Sequence, residues 1–163
     1  MLIRRARNKK GTTAVEFAFV LPLFLLLIFG IIDFGWYFCV EQTLQYATRE
    51  GMRLALVGGQ LTDPQGNPIS RVSSIIQTIQ NYASVVVDPS KLSIYIYPIT
   101  SNYQDPSNWQ TFVGAGANAG GPGTYMRVKT TYNYQFMTPF IAVFFPGSQT
   151  TIVAQGTYEN EQF

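Results

Sequence analysis

Histidine is absent from this 163-residue chain, and cysteine occurs once, at position 39. Without histidine, the familiar zinc sites and the Ser/His and Cys/His nucleophile pairs are unavailable, and a single cysteine cannot build an internal disulfide framework. Charge is scarce as well. Charged residues make up 12% of the chain against 47% hydrophobic residues, a balance that excludes ordinary disorder. The length allows one modest domain with a real core, since a domain takes about 100 to 200 residues.

The little charge present is unevenly placed. Arg4, Arg5, Arg7, Lys9 and Lys10 put five of the eleven basic residues ahead of Gly11, with no acid among them. The remainder carries six basic and nine acidic residues, a net of −3, so a basic tip precedes a mildly acidic body. No basic patch persists beyond that tip, and nucleic acid is not an expected partner.

The residues after the tip are membrane material. Between Thr12 and Val40, 22 of 29 residues are hydrophobic, and Phe17 to Ile32 carries no charge. A bilayer core takes about 20 apolar helical residues, a length reached by extending past Asp33 into Phe34, Trp36, Tyr37 and Phe38; Trp36 and Tyr37 suit the water interface. The flanking cations favour a cytoplasmic N-terminus and an exported body. A cleaved secretory signal shares the basic and apolar parts, but bulky Phe34-Gly35-Trp36-Tyr37-Phe38 stands where a small-x-small site is needed. Cys39 is read as a buried apolar residue.

Glu16 stands immediately before the uncharged run, where a carboxylate is costly in lipid unless it sits at the headgroup level or finds a partner. Lys9-Lys10-Gly11-Thr12-Thr13-Ala14-Val15-Glu16-Phe17 resembles the processing site of type IV pilin-like proteins, in particular the Tad (tight adherence) branch. There a prepilin peptidase cuts after the glycine, and the acid at the fifth mature position is followed by an aromatic. The string running through Leu21-Pro22-Leu23 and Gly30-Ile31-Ile32-Asp33-Phe34-Gly35 to Ala47-Thr48-Arg49-Glu50-Gly51-Met52-Arg53 is similar to TadE-like pseudopilins. The resemblance covers about the first 57 residues, with weaker echoes in 134–139 and 151–158. It implies a processing site at Gly11 and Thr12 and an assembly role for Glu16 and Phe17. It also implies three kinds of partner: a prepilin peptidase, other Tad pilins and pseudopilins, and an inner-membrane assembly platform.

Physical reasoning runs beside the resemblance. Cutting after Gly11 places a new ammonium at Thr12, four residues from Glu16 and on the same helix face. A buried carboxylate needs a cation, either this amine or that of an adjacent subunit; the resemblance implies the intersubunit pairing. Removing residues 1–11 deletes all five leader cations and loosens the hold on the cytoplasmic surface. Pro22 predicts a bend or loosened turn. The helix is expected from about Thr12 to Val57, about 69 Å at 1.5 Å per residue. Val40, Leu44, Ala47, Gly51, Leu54 and Ala55 form a stripe along it, ending at Gly58-Gly59 and expected to pack on its own domain, the alternative being a partner pilin.

Residues 58–163 read as an exported α+β domain. Asp63-Pro64-Gln65-Gly66-Asn67-Pro68 is turn chemistry, and the spacing of Val72, Ile75, Ile76 and Ile79 predicts a helix over about 69–83. Strands are expected at 92–97, 125–136 and about 150–158, in a small antiparallel sheet wet on one side. The polar 100–124 segment reads as a flexible loop; Gly114-Ala115-Gly116-Ala117-Asn118-Ala119 matches a dinucleotide pattern only loosely, with Gly120-Gly121-Pro122-Gly123 breaking the helix that motif needs. Apolar 137–146 is expected to bury against the sheet, the alternative being a contact with a partner or the membrane. Asp63, Asp88, Asp105, Glu159 and Glu161 show no paired acid/base spacing.

Together these features give a non-enzymatic minor pilin or pseudopilin, without cofactor or metal, in a single-pass inner-membrane setting, with adhesion, surface attachment or biofilm formation as the outcome. The alternative is a signal-anchored membrane protein with an exported ligand-binding or enzymatic domain.

Overall fold

The computed structural model describes residues 9–162, with side chains from Thr12 onward. Most of the basic leader thus lies outside the described residues. The elements are α1 (Lys9–Leu56), α2 (Arg71–Ala83), β1 (Leu92–Pro98), β2 (Tyr125–Gln135), the short α3 (Pro139–Ala142) and β3 (Gln149–Glu159). The three strands form one sheet in the order β1-β2-β3. This is the expected α+β arrangement, with α1 beginning three residues earlier than the apolar run implied. Two compact units are present: α1 through Trp36 with 135–149, and Tyr37–Tyr134 with the residues from Thr150 on.

In the second unit the expected stripe is the core-facing side of α1. Val40, Leu44, Ala47 and Ala55 are buried, as is Thr48. Apolar residues at three- and four-residue steps line one side of a helix, and here that side meets two partners. Thr48 Oγ1 donates to the Leu44 carbonyl at 2.7 Å and lies 3.0 Å from Thr130 Oγ1 on β2. Gly51 faces α2, where an added Cβ would collide with the Ile79 side chain. Ile75, Ile79 and Ala83 of α2 are themselves buried, each large side chain contributing about 1.5–3 kcal/mol through burial. Ser70 caps α2, accepting a hydrogen bond from the Ser73 amide at 3.1 Å.

The last carbonyls of α1 are fully used. Gly58, at φ 67°, provides the left-handed turn that ends a helix. Its amide donates to Ala55 O at 3.1 Å, and the Gly59 amide donates to Leu54 O at 3.0 Å. Arg71 Nη2 donates to Ala55 O at 3.1 Å, and the Glu161 amide donates to Leu56 O at 2.9 Å.

β1 and β2 pair antiparallel with Tyr95 opposite Lys129. One sheet face presents buried Ile94, Ile96, Met126, Val128, Ile152 and Ala154. The opposite face is not simply wet, contrary to the alternation, because the 100–124 segment folds over part of it. Turns at Trp109–Thr111 and Gly114–Gly116 bring Phe112 O to the Ile96 amide at 3.1 Å and the Asn118 amide to Ile96 O at 2.9 Å. The outer edge of β1 is thereby covered, which removes an open strand edge. Extended Ala117 follows the glycine turn, so the loosely matching dinucleotide motif lacks its helix.

Candidate functional site

The residues expected to carry processing and assembly share the first turns of α1. The Gly11–Thr12 bond lies within the helix. Thr12, Glu16 and Phe17 are exposed, as are Val15, Phe19 and Val20. Among the described residues Glu16 has no ion-pair partner. Helical geometry puts Thr12 and Glu16 on one face, four residues apart, with Phe17 adjacent. From Thr12 to Leu56 the helix is long and apolar enough to cross a membrane. Pro22 is tolerated inside it, as lipid-facing helices permit when neighbouring groups satisfy the freed carbonyl.

Within the same unit, Asp33 is the residue that sequence reasoning left without a role. It is fully buried. Its Oδ1 accepts from the Met137 amide at 3.1 Å, and its Oδ2 accepts from the Thr138 amide at 3.1 Å and from the Thr138 hydroxyl. Thr138 is the N-cap of α3 and Pro139 its first residue, so the carboxylate holds the two amides that lead into the helix. Around it, the Phe29 and Phe140 rings stack with centroids 6.1 Å apart, Phe34 meets Phe136 edge-on at 6.2 Å, and Phe136 stacks on Phe145 at 4.1 Å. An isolated acid inside a long apolar run was the available signal, because such a group demands a partner.

This geometry corrects the expectation that 137–146 buries against the sheet. Ile141 and Ala142 are buried, but Met137, Phe140, Val143 and Phe144 are exposed. The cause is Asp33: its carboxylate fixes the connection beside the apolar helix, and four residues of α3 are too few to turn all these side chains inward. Cys39 is likewise exposed where a buried residue was expected, since the core-facing side of α1 is taken by Val40 and its helical repeats.

Three aspartates of the body bind nearby amides, hydroxyls and cations. Asp63 accepts from the Gln65 and Asn67 amides at 2.9 and 2.8 Å, and these bonds, the Asn67 amide foremost, lower its pKa. Asp88 caps the Pro89–Lys91 turn through the Ser90 amide at 3.0 Å and hydroxyl at 2.7 Å. Asp105 gathers Tyr97 Oη at 2.9 Å, Lys129 Nζ at 3.1 Å and Arg127 Nη1. Burial raises its pKa, but the bonds from Lys129, Tyr97 and Arg127 outweigh burial and hold it below the ordinary carboxylate value. Trp109 closes the cluster, its ring 3.9 Å from Lys129 Nζ in cation–π contact. Sequence order hides this arrangement, because Asp105 meets partners 22 and 24 residues away.

A second knot joins distant segments. Arg71 Nη1 donates to Gly120 O at 2.8 Å, while Asn160 Nδ2 donates to Ala119 O, Gly121 O and Thr124 Oγ1 at 3.0, 2.8 and 3.0 Å. These bonds hold the end of the 100–124 segment. Among the described residues no cluster of three or more Cys, Asp or Glu is placed to hold a metal ion.

Neither a curated protein nor a solved structure matches the chain. The family described as TadE-like protein matches residues 11–53, a segment that starts at Gly11 and contains Glu16, Phe17 and Asp33. The N-terminal helix is thus similar to the TadE-like family over residues 11–53, a likeness that suggests a Tad pilus-associated protein, and the same helix is long and apolar enough to anchor it in a membrane.

Proposed function

We propose that the chain is a minor pilin or pseudopilin of the Tad type, cut by a prepilin peptidase after Gly11 and assembled with other Tad pilins and pseudopilins on an inner-membrane platform. The observation that carries the reading is the exposed Thr12, Glu16 and Phe17 surface at the start of an apolar helix, inside the TadE-like segment. In this reading the N-terminus is cytoplasmic and the body exported, as five leader cations favour. After cutting, the Thr12 ammonium and a Glu16 carboxylate of an adjoining subunit neutralise each other within an apolar bundle, where an unpaired charge is expensive. The role is structural rather than catalytic, and the assembly serves adhesion, surface attachment or biofilm formation.

The test is the intact mass of the membrane-extracted protein from cells with and without an active prepilin peptidase. The expected result is a mature N-terminus at Thr12 only when the peptidase is active; an uncut chain in both strains refutes processing. Glu16→Ala is expected to be cut normally yet to be lost from sheared pili or the assembly complex. Wild-type incorporation of that variant refutes the assembly role of Glu16.

A further inference from the structure

The 136–148 connection has no charged residue, and four of its apolar side chains point away from the protein. Val143 is 82% exposed, Phe144 71%, Met137 59% and Phe140 58%. An exposed apolar patch of this kind marks a contact surface, and its neighbours identify the contact. Phe140 stacks on Phe29, Phe136 meets Phe34, and a Cβ added at Gly30 would come within 3.7 Å of Ile141 Cδ1. All three helix positions belong to the apolar membrane-crossing segment of α1.

Depth along that helix supports the same assignment. If the uncharged run starts at the cytoplasmic boundary with Phe17, Phe29 stands about 18 Å further along and Asp33 about 24 Å at 1.5 Å per residue. Both distances fall short of the ~30 Å hydrocarbon thickness. Asp33 is therefore placed in the outer half of the bilayer, where an unpaired carboxylate is costly, and its partners come from 136–148.

Most backbone amides of the connection find acceptors within the protein, as lipid demands of polar groups. The Phe136 amide donates to Ser148 O at 3.2 Å, and the Met137 and Thr138 amides donate to Asp33. Those of Ile141 and Ala142 donate to Thr138 O at 3.2 and 3.0 Å, Val143 to Pro139 O at 3.3 Å, Phe144 to Ile141 O at 3.0 Å and Phe145 to Ala142 O at 3.1 Å. Pro139 and Pro146 have no N–H to satisfy.

We propose that 136–148 is a second membrane-contacting element, a foot that enters the outer half of the bilayer beside α1, with Met137, Phe140, Val143 and Phe144 in contact with lipid and Asp33 as its polar fastening. The proposal rests on the reading that α1 spans the membrane. It gives the chain two lipid contacts, one spanning and one dipping.

The test uses the full-length protein in phosphatidylethanolamine/phosphatidylglycerol vesicles. Cys39→Ser clears the only thiol, and a nitroxide is attached in turn through Val143→Cys, Phe144→Cys, Leu27→Cys and Val85→Cys. Collision with molecular oxygen, which concentrates in lipid, is compared with collision with a water-soluble nickel chelate. Positions 143 and 144 are expected to resemble 27, with oxygen collisions several-fold more frequent than nickel collisions, while exposed Val85 on the body shows the reverse. Nickel access at 143 and 144 equal to that at 85 overturns the foot while leaving the span intact. Shielding from both reagents overturns it in favour of burial under a second copy or another subunit. Nickel access at 27 overturns the span and the foot together.

Discussion

Replacing Asp33 by alanine removes the acceptor for two buried amides and one hydroxyl while leaving the chain composition of the connection untouched. The Thr138 hydroxyl can rotate to another acceptor, but the Met137 and Thr138 amides are fixed by the backbone. Each buried donor left unsatisfied costs about 1–3 kcal/mol, so the pair loses about 3 kcal/mol of local stability. At 1.4 kcal/mol per factor of ten, protection of these amides against hydrogen exchange falls about 100-fold if they open by local unfolding. The assay is exchange mass spectrometry on the full-length protein in detergent micelles, following a peptide that covers 135–149. The β1 and β2 ladder, which lies in the other unit, serves as the internal control and is expected to keep its protection. Asp33→Asn keeps one carbonyl oxygen but turns an NH2 toward a donor, and about a tenfold loss is expected. Wild-type exchange in Asp33→Ala, or an equal loss across the ladder, refutes the fastening role.

Two further perturbations probe the body. Gly51→Ala gains up to about 1 kcal/mol in helix propensity but drives a methyl group into Ile79 of α2, an overpacking cost of about 1–3 kcal/mol; a lower melting temperature of the full-length protein is expected, and a higher one refutes close packing at this crossing. Asp105 has a folded pKa below the usual value, so its contribution is complete at neutral pH, begins to fall as the unfolded carboxyl titrates near pH 4, and is lost as pH drops through the folded pKa. In a Trp36→Phe background, Trp109 emission is expected to hold steady from pH 7 to about 5 and to shift red below about 4. Asp105→Asn should show that shift at pH 7, and an unshifted emission refutes the clamp.

What the sequence makes legible is whatever repeats locally. The apolar run, the 40–55 stripe and the period-two strands are each written in neighbouring residues, so α1, α2 and all three strands fall within a few residues of their expected places. Pairings across the chain are written nowhere locally. Asp33 and Thr138 are 105 residues apart, and nothing near either names the other, so the connection was assigned to the nearest large apolar surface, the sheet. Asp105 sits among turn residues that explain it well enough alone, and its service to Arg127 and Lys129 emerges only when the 100–124 segment folds back. The residues proposed for processing and assembly are the opposite case. Gly11, Thr12, Glu16 and Phe17 fall within one seven-residue stretch, and their pattern is read without any tertiary contact.

The end of α1 has a mechanical meaning. Leu54, Ala55 and Leu56 give their carbonyls to Gly59, Gly58, Arg71 and Glu161, segments that reach from just past the helix to the far end of the chain. Tension along α1 is therefore shared among several polar links that must yield together before the last turn unwinds. A pull on the last turn of α1 loads the body directly, and that turn does not peel away from the domain it joins.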